Sequence, residues 1–568
     1  MHTVDMMVVI VYLAATTWLG IWMSRRVHNV HDYFMPRRFG KALMLMHAFG
    51  TGTASDQAVT VASSTFTHGL SGIWFQWQWL FATPFYWLLA PVMRRFRAVT
   101  TADVIRLRFD NSVAVLFAVV GVAGTVSKIG LLLKGSAALI DSGTGQLIDA
   151  NLAIAVTAVL FVVYGAAGGL GAAIITDFVQ GLLTILFSVI LLPFVWQAVG
   201  GMAGIRQVVD SPGMLSLVAP GEIGCFYIVM FSLQTLIGIV AQPHIMGVCG
   251  AGRTELDGRV GFMVGNFVKR LCTVAWCLTG IAALAWYLQR GEDPSRVAGD
   301  QIYGHMAREF LPRISPGLLG VFLAAMLAGV MSSCDSIMIA GSALFTENIY
   351  RVWVPGRSVA HYLWVARIAG IAVVAGGMFF AYRVPNVLAA LKIWLSIAPM
   401  MGIPIWLAFF WRGVNTLGAW AGTLAGFASW YVMTQPAVIA NLARQSWVSQ
   451  IDLISTMGGK PQVYEPWRIL IYSSCGLLAA VVCSLLSRPV NGKQLDRFYQ
   501  LMRTPIQPDE VIDQPCTLPT VLTLPVRPLW LSWRGLEVPC PSRTSVIGFA
   551  GGWLAVFALI ASFLVIVR

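Results

Sequence analysis

MHAFGTGTASDQAVTVASSTF (46–66) is apolar at both ends and falters in the middle. Gly50, Gly52 and the threonines beside them are weak helix formers, and they run directly into Ala54, Ser55, Asp56 and Gln57. The pattern predicts a helix that unwinds there. What surrounds the stretch decides what such a break means. The chain has 568 residues, 57% hydrophobic and only 11% charged, with a mean hydropathy of +0.73. A soluble domain carries about 25% charged residues, so this composition excludes a soluble globular protein, and equally disorder, collagen and a secreted disulfide scaffold. A break at membrane depth is tolerated only where the freed backbone lines a cavity or is buried in protein.

Outward from 46–66, fourteen apolar runs appear, each long enough for the roughly 20 residues that cross a bilayer. The predicted architecture is an all-α polytopic membrane protein. It divides into a first helix and loop (1–41), a five-helix group (42–198), a second five-helix group (225–411), two accessory helices (412–487), a Pro-rich connector (488–544) and a last helix (545–568). Segments 25–41 and 94–108 carry five Lys or Arg each, whereas 67–71 carries none, so the net charge of +13 reads as an orientation signal and not as a nucleic-acid footprint. Arg25 and Arg26 follow the first apolar run, which places the N-terminus outside and argues against a cleaved signal peptide. The external loop 289–315 is basic against this trend. The connector holds nine prolines between 488 and 541, with a short helical piece at 494–502, and is expected to be cytoplasmic and extended rather than a folded domain. The nine cysteines lack CxxC spacing and read as core residues, neither disulfides nor metal ligands.

Charges at membrane depth cost roughly 2.5–3.5 kcal/mol each, so each calls for a role. Six stand out: Asp56, Lys128, Lys134, Asp177, Asp335 and Lys392. Lys134 and Lys392 lie near span ends, where snorkelling accounts for them. Lys128 is deeper, and three readings stand: neutralising Asp56, binding an anionic solute, or standing in for a coupling ion. The seventh span is interrupted by Gly238, Pro243 and Gly247, so both groups begin with a broken helix, a pattern of inverted-repeat transporters. In LAAMLAGVMSSCDSIMIAGSALF (323–345), Gly329, Ser332, Ser333 and Ser336 recur at i, i+3, i+4 and i+7, one helical stripe flanked by Asp335. Such serines either pack helices closely or, beside a carboxylate, supply hard oxygen ligands. GIWFQWQW (72–79) lines a vestibule or forms an aromatic belt. Gln57, Gln76 and Gln234, with Asp56 and Lys128, are the candidate solute contacts.

Several segments together resemble the sodium:solute symporters, the group of bacterial proline, galactose and sialic acid transporters. They are HDYFMPRRFG (31–40), ASDQ (54–57), TTADVIRLRF (100–109), YGAAGGLGAAIITDFVQ (164–180), AAMLAGVMSSCDS (324–336) and FFWRGVNTLGAWAG (409–422). The resemblance implies a leucine-transporter-like fold of two inverted five-helix repeats. It also implies a sodium site made by the carbonyls of Ala54, Gln57 and Gly329 and the hydroxyls of Ser332 and Ser333, with Asp177 beside it. Some members hold a second sodium, for which the matching positions are Asp177, Ser332, Asp335 and Ser336, Asp335 standing where those members have serine.

The expected function is an inner-membrane symporter, working as a monomeric unit, that imports a small polar or anionic solute with Na+ as coupling ion by alternating access. It is expected to need no organic cofactor, to perform no covalent chemistry and to bind no nucleic acid. Two alternatives are a proton-coupled transporter using Asp335, Asp177 and Lys128, and a transporter-like sensor acting through a separate partner on the connector.

Overall fold

The computed structural model describes the chain apart from Met1, residues 25–33, Pro36, Arg38, 220–222, 458–459, 508–509, Val511, Asp513 and 520–523. The side chains at 20–21, 23–24, 163–168, 172, 457 and 460 are likewise not described. Arg25, Arg26 and half of HDYFMPRRFG therefore lie outside the described residues, and of the start of the 164–180 motif only the backbone is described. The principal helices are α1 (Thr3–Ser24), α2 (Lys41–Gly50), α3 (Ser55–His68), α4 (Thr83–Arg95), α5 (Asn111–Thr144), α6 (Ala150–Val189), α7 (Cys225–Gly238) and α8 (Ile245–Gly250). They continue as α9 (Glu255–Gln289), α10 (Leu318–Phe345), α11 (Val359–Arg383), α12 (Val387–Phe410), α13 (Thr416–Val432), α14 (Glu465–Leu485), α15 (Gly492–Arg503) and α16 (Arg543–Val567). Among the described residues eight helices are long and apolar enough to cross a membrane, and three shorter apolar ones accompany them.

The centre of the bundle is α10. It is apolar all round, which suits a helix surrounded by others, and nearly every side chain from Leu319 to Leu344 is buried. It packs against α5, α6, α1 and α11. Asp5 on α1 is buried and accepts the amide of Gly320 (2.9 Å), satisfying one of the unpaired N–H groups at the start of α10. The peripheral helices α14 and α16 leave most of their apolar surface outward. In α6 the helix kinks at Gly169 (φ 62°, ψ −175°), a left-handed φ that favours glycine, and so the two apolar runs read there from the sequence meet end to end.

Both expected interruptions are present. The first separates α2 from α3 at residues 51–54. The second follows α7, where a short 3-10 turn (Ile239–Ala241) gives way to an extended Gln242 before α8 begins.

The connector departs from the expectation of an extended, unpacked segment. Its helical piece is α15, which buries Leu495, Phe498, Tyr499, Leu501 and Met502 against the bundle. A hairpin of β1 (Leu529–Trp533) and β2 (Leu536–Pro539) follows. Proline excludes helix interiors but not a packed surface, and charged residues pin this segment down. Gln494 donates to the carbonyls of Leu107 (2.9 Å) and Phe109 (2.7 Å), Arg412 joins Asp496 and Glu537, and Arg97 holds Glu510 with two guanidinium nitrogens, one at 2.9 Å. Burial alone pushes the Glu510 carboxyl up. The Arg97 guanidinium, the Gln507 amide and the charge of Arg94 outweigh it and hold the group below its ordinary value of 4.5. A carboxyl lowered by folding stabilises the docked state above its undocked pKa and loses that contribution as pH falls through the lowered value. Glu510→Gln at neutral pH is therefore expected to raise the rate at which a thiol reagent modifies buried Cys516 severalfold, read by mass spectrometry. Acidification through the lowered value is expected to do the same in the unaltered protein, and unchanged labelling in both cases counts against the latch.

Candidate functional site at the broken second helix

The gap between α2 and α3 is held open by local bonds. The Thr51 amide reaches the His47 carbonyl (2.8 Å), the Thr53 hydroxyl takes the Phe49 carbonyl (2.6 Å), and Ala54 is extended (φ −151°). The Gln57 side chain folds back and donates to the Gly52 carbonyl. The Gly50 and Thr53 carbonyls, by contrast, face α10, against Ser333 and Gly329.

Gly50 and Gly52 look in different directions, and this gives the break two electrical poles. A Cβ at Gly50 would stand 3.6 Å from Cγ of Asp177. On that side the Ser333 hydroxyl donates to the Gly50 carbonyl (2.7 Å), fastening α2 to α10. The Ser332 hydroxyl donates to Oδ1 of Asp177 (2.5 Å), whose Oδ2 meets Nδ1 of His47 at 2.6 Å. The Thr51 hydroxyl reaches Ser336 (3.2 Å). Asp177, Ser332 and Ser333 are fully buried. The result is one carboxylate and several hydroxyls converging on unwound backbone, the hard oxygen set that suits an alkali cation.

A Cβ at Gly52 would stand 3.2 Å from Nζ of Lys269. This side opens on a cavity lined by Gln57, Gln76, Trp79, Lys128, Gln242, His244, Lys269, Arg270 and Trp394, among others. Both helix breaks reach it. Trp79 stacks on Trp394 with centroids 6.2 Å apart, and Nζ of Lys128 lies 4.5 Å above the Trp394 ring. Lys128 also pairs with Asp56 at 2.7 Å, both being buried, so its neutralising role is realised. The cavity volume is about 40 Å³, room for water but for nothing larger in this arrangement of the helices.

The model of the sodium:solute symporter family matches residues 33–426. The chain belongs to this family. It is a multi-pass membrane transporter of the sodium-coupled symport class. Among its relatives is the sodium/pantothenate symporter of Haemophilus influenzae, 24% identical over 365 residues that cover 61% of this chain and 71% of that one. Another is the osmoregulated proline transporter OpuE of Bacillus subtilis, 24% identical over 442 residues, covering 74% and 86%. The fold is that of a Na+-coupled sialic acid symporter solved in a substrate-bound outward-open state, with a TM-score of 0.68 at 17% identity, covering 86% of this chain and 99% of that one.

The residues singled out in the sequence fall into distinct places. Ala54, Gln57, Asp177, Gly329, Ser332, Ser333 and Ser336 surround the break. The Ala54 carbonyl is taken by the Gln57 amide (3.1 Å), and Gly329 sits against the Thr53 carbonyl, 3.1 Å from where its Cβ would be. Asp335 is buried on α10 within electrostatic reach of Tyr12 on α1. Gln76 lines the cavity, but Gln234 does not: it donates to the Leu395 carbonyl (3.3 Å). Gln242 and His244, from the unwound second break, hold the place expected of it. Lys134 and Lys392 are half-buried. GIWFQWQW is no lipid-facing belt, since Trp74, Trp77 and Trp79 are all buried, with Trp74 donating to Leu217 and Trp77 to Arg270.

Three further groups at these two poles are ones the sequence reading does not single out. His47 was passed over because a neutral imidazole does not enter a charge count. Lys269 and Arg270 lie well inside the apolar run that became α9 and belong with the six intramembrane charges; their distance from the run's end was the available signal.

Proposed function

We propose that the protein couples the inward movement of a small polar or anionic solute to sodium by alternating access, sodium binding at the Asp177 side of the break and solute at the cavity side. The observation that carries this reading is the clamp between unwound α2 and α10, made by Ser333 on the Gly50 carbonyl and by Ser332 on Asp177. Sodium at Asp177, Ser332, Ser333 and the carbonyls of Ala54, Gln57 and Gly329 joins elements on opposite sides of the pathway. It thereby favours one of two arrangements of the helices by its differential affinity for them. Asp335 and Ser336, on the same helix, are the positions for a second cation. In this reading fourteen helices cross the inner membrane, residues 42–198 and 225–411 form inverted repeats that rock against each other, the N-terminus is outside, and the connector is cytoplasmic. The transport unit is a single chain with no organic cofactor and no covalent chemistry.

Sodium is expected to raise the thermal stability of the purified full-length protein relative to potassium or choline, because a ligand that binds only the folded state stabilises it by mass action. Ser332→Ala with Ser333→Ala is expected to abolish that increment while leaving the protein folded. An increment of unchanged size in the double variant removes the assigned site.

His47 beside Asp177 favours a second reading, in which a proton shared by this pair drives transport. Uptake driven by a pH gradient without sodium supports it.

A further inference from the structure

The charge lining the cavity does not balance. Among its described lining residues are Lys128, Lys269 and Arg270 but no Asp or Glu. Lys128 is accounted for by Asp56. Lys269 is not paired: it is 7% exposed, feels the charges of Arg270 and Lys128 ahead of the more weakly felt Asp56, and forms no hydrogen bond or ion pair through its ammonium with any described residue. Arg270 is 2% exposed and donates to the backbone carbonyls of Gln76 and Asn266, which take two of its five N–H groups without cancelling its charge. A buried ammonium without a partner is costly enough that folded proteins rarely keep one, and the usual resolution is a ligand of opposite charge. Two adjacent cations on one turn of α9 face a cavity that both helix breaks open onto, and the backbone bonds of Arg270 leave the charge of both without a paired acid.

We propose that this cavity binds an organic anion through a carboxylate held between Lys269 and Arg270, with Trp79 and Trp394 packing on its apolar body. This rests on reading the protein as a transporter and narrows its solute class. Cationic solutes are repelled. Zwitterions find no free carboxylate for their ammonium, since Asp56 already faces Lys128. The Gln57 Oε1, buried with no hydrogen-bond partner among the described residues, suits a hydroxyl or N–H donor on the same solute. The two poles also explain how a cation and an anion share one site without cancelling: the sodium-facing side of the break carries Asp177 and the solute-facing side carries Lys269. Each charge meets its complement across the same four unwound residues.

The test uses the full-length protein in detergent, its thermal unfolding followed with acetate, lactate, succinate and citrate against the corresponding uncharged amides, and with inorganic phosphate as the non-carbon oxyanion, each with sodium and with choline. At least one carboxylate is expected to raise the transition of the unaltered protein while its amide does not. Lys269→Met is expected to raise the ligand-free transition, because an unpaired buried charge is removed, and to weaken carboxylate binding by about tenfold or more. Lys269→Arg retains binding. Equal protection by the amides, protection by phosphate alone, or no protection by any carboxylate overturns the proposal. So does a Lys269→Met protein that is less stable without ligand and still protected. Sodium stabilisation without carboxylate binding leaves symport standing and removes the anion assignment; carboxylate binding indifferent to sodium does the reverse.

Discussion

Lys128→Met is expected to destabilise the protein by about 3–5 kcal/mol, the usual result when one partner of a buried ion pair is removed and the other is left uncompensated. Asp56 is 1% exposed, and its second carboxylate oxygen has no hydrogen-bond partner among the described residues, so only the more distant charge of Lys269, which forms no ion pair with it, is left to face it. The pair also sits where two helices meet almost backbone to backbone. A Cβ at Gly135 of α5 would lie 2.5 Å from Cα of Asp56, so α5 and the start of α3 cannot part to admit water without unpacking. Lys128→Met combined with Asp56→Asn is expected to recover most of the loss, because the charges then leave together. Thermal unfolding of both variants checks this. Equal losses in the single and double variants would mean that the side chains matter for shape and not for charge.

Asp177→Asn carries the second large effect. Its carboxylate faces Ser332 and His47 inside a fully buried pocket, and an amide there keeps the shape but removes the charge that attracts a cation. The sodium concentration giving half-maximal stabilisation is expected to rise at least tenfold, about 1.4 kcal/mol. His47→Gln separates the two coupling readings. If sodium is the driver, His47→Gln keeps a sodium response in reconstituted vesicles and Asp177→Asn loses it. If a shared proton is the driver, both variants lose pH-driven uptake together.

The legible parts of the molecule were those that depend on neighbours in the chain. The break at 51–54 followed from weak helix formers in an apolar run, and the stripe of Gly329, Ser332, Ser333 and Ser336 from helical spacing. The illegible parts depended on which helices touch. Nothing local distinguishes Gln234, which bonds to a backbone carbonyl, from Gln242, which lines the cavity. The connector misled for a related reason: its prolines forbid a long helix, but the apolar face of α15 needed a partner surface that sequence alone does not display.

Sequence by itself therefore determined the membrane class, the two broken helices and the oxygen-rich stripe beside Asp177, because hydropathy, helix propensity and periodicity are properties of consecutive residues. Tertiary structure alone decided that Lys128 belongs to Asp56, that His47 belongs to Asp177 and that Lys269 and Arg270 face the cavity without a carboxylate. Those are balances of charge between helices far apart in the chain, and Coulomb energy depends on distance in space, which the order of residues does not state.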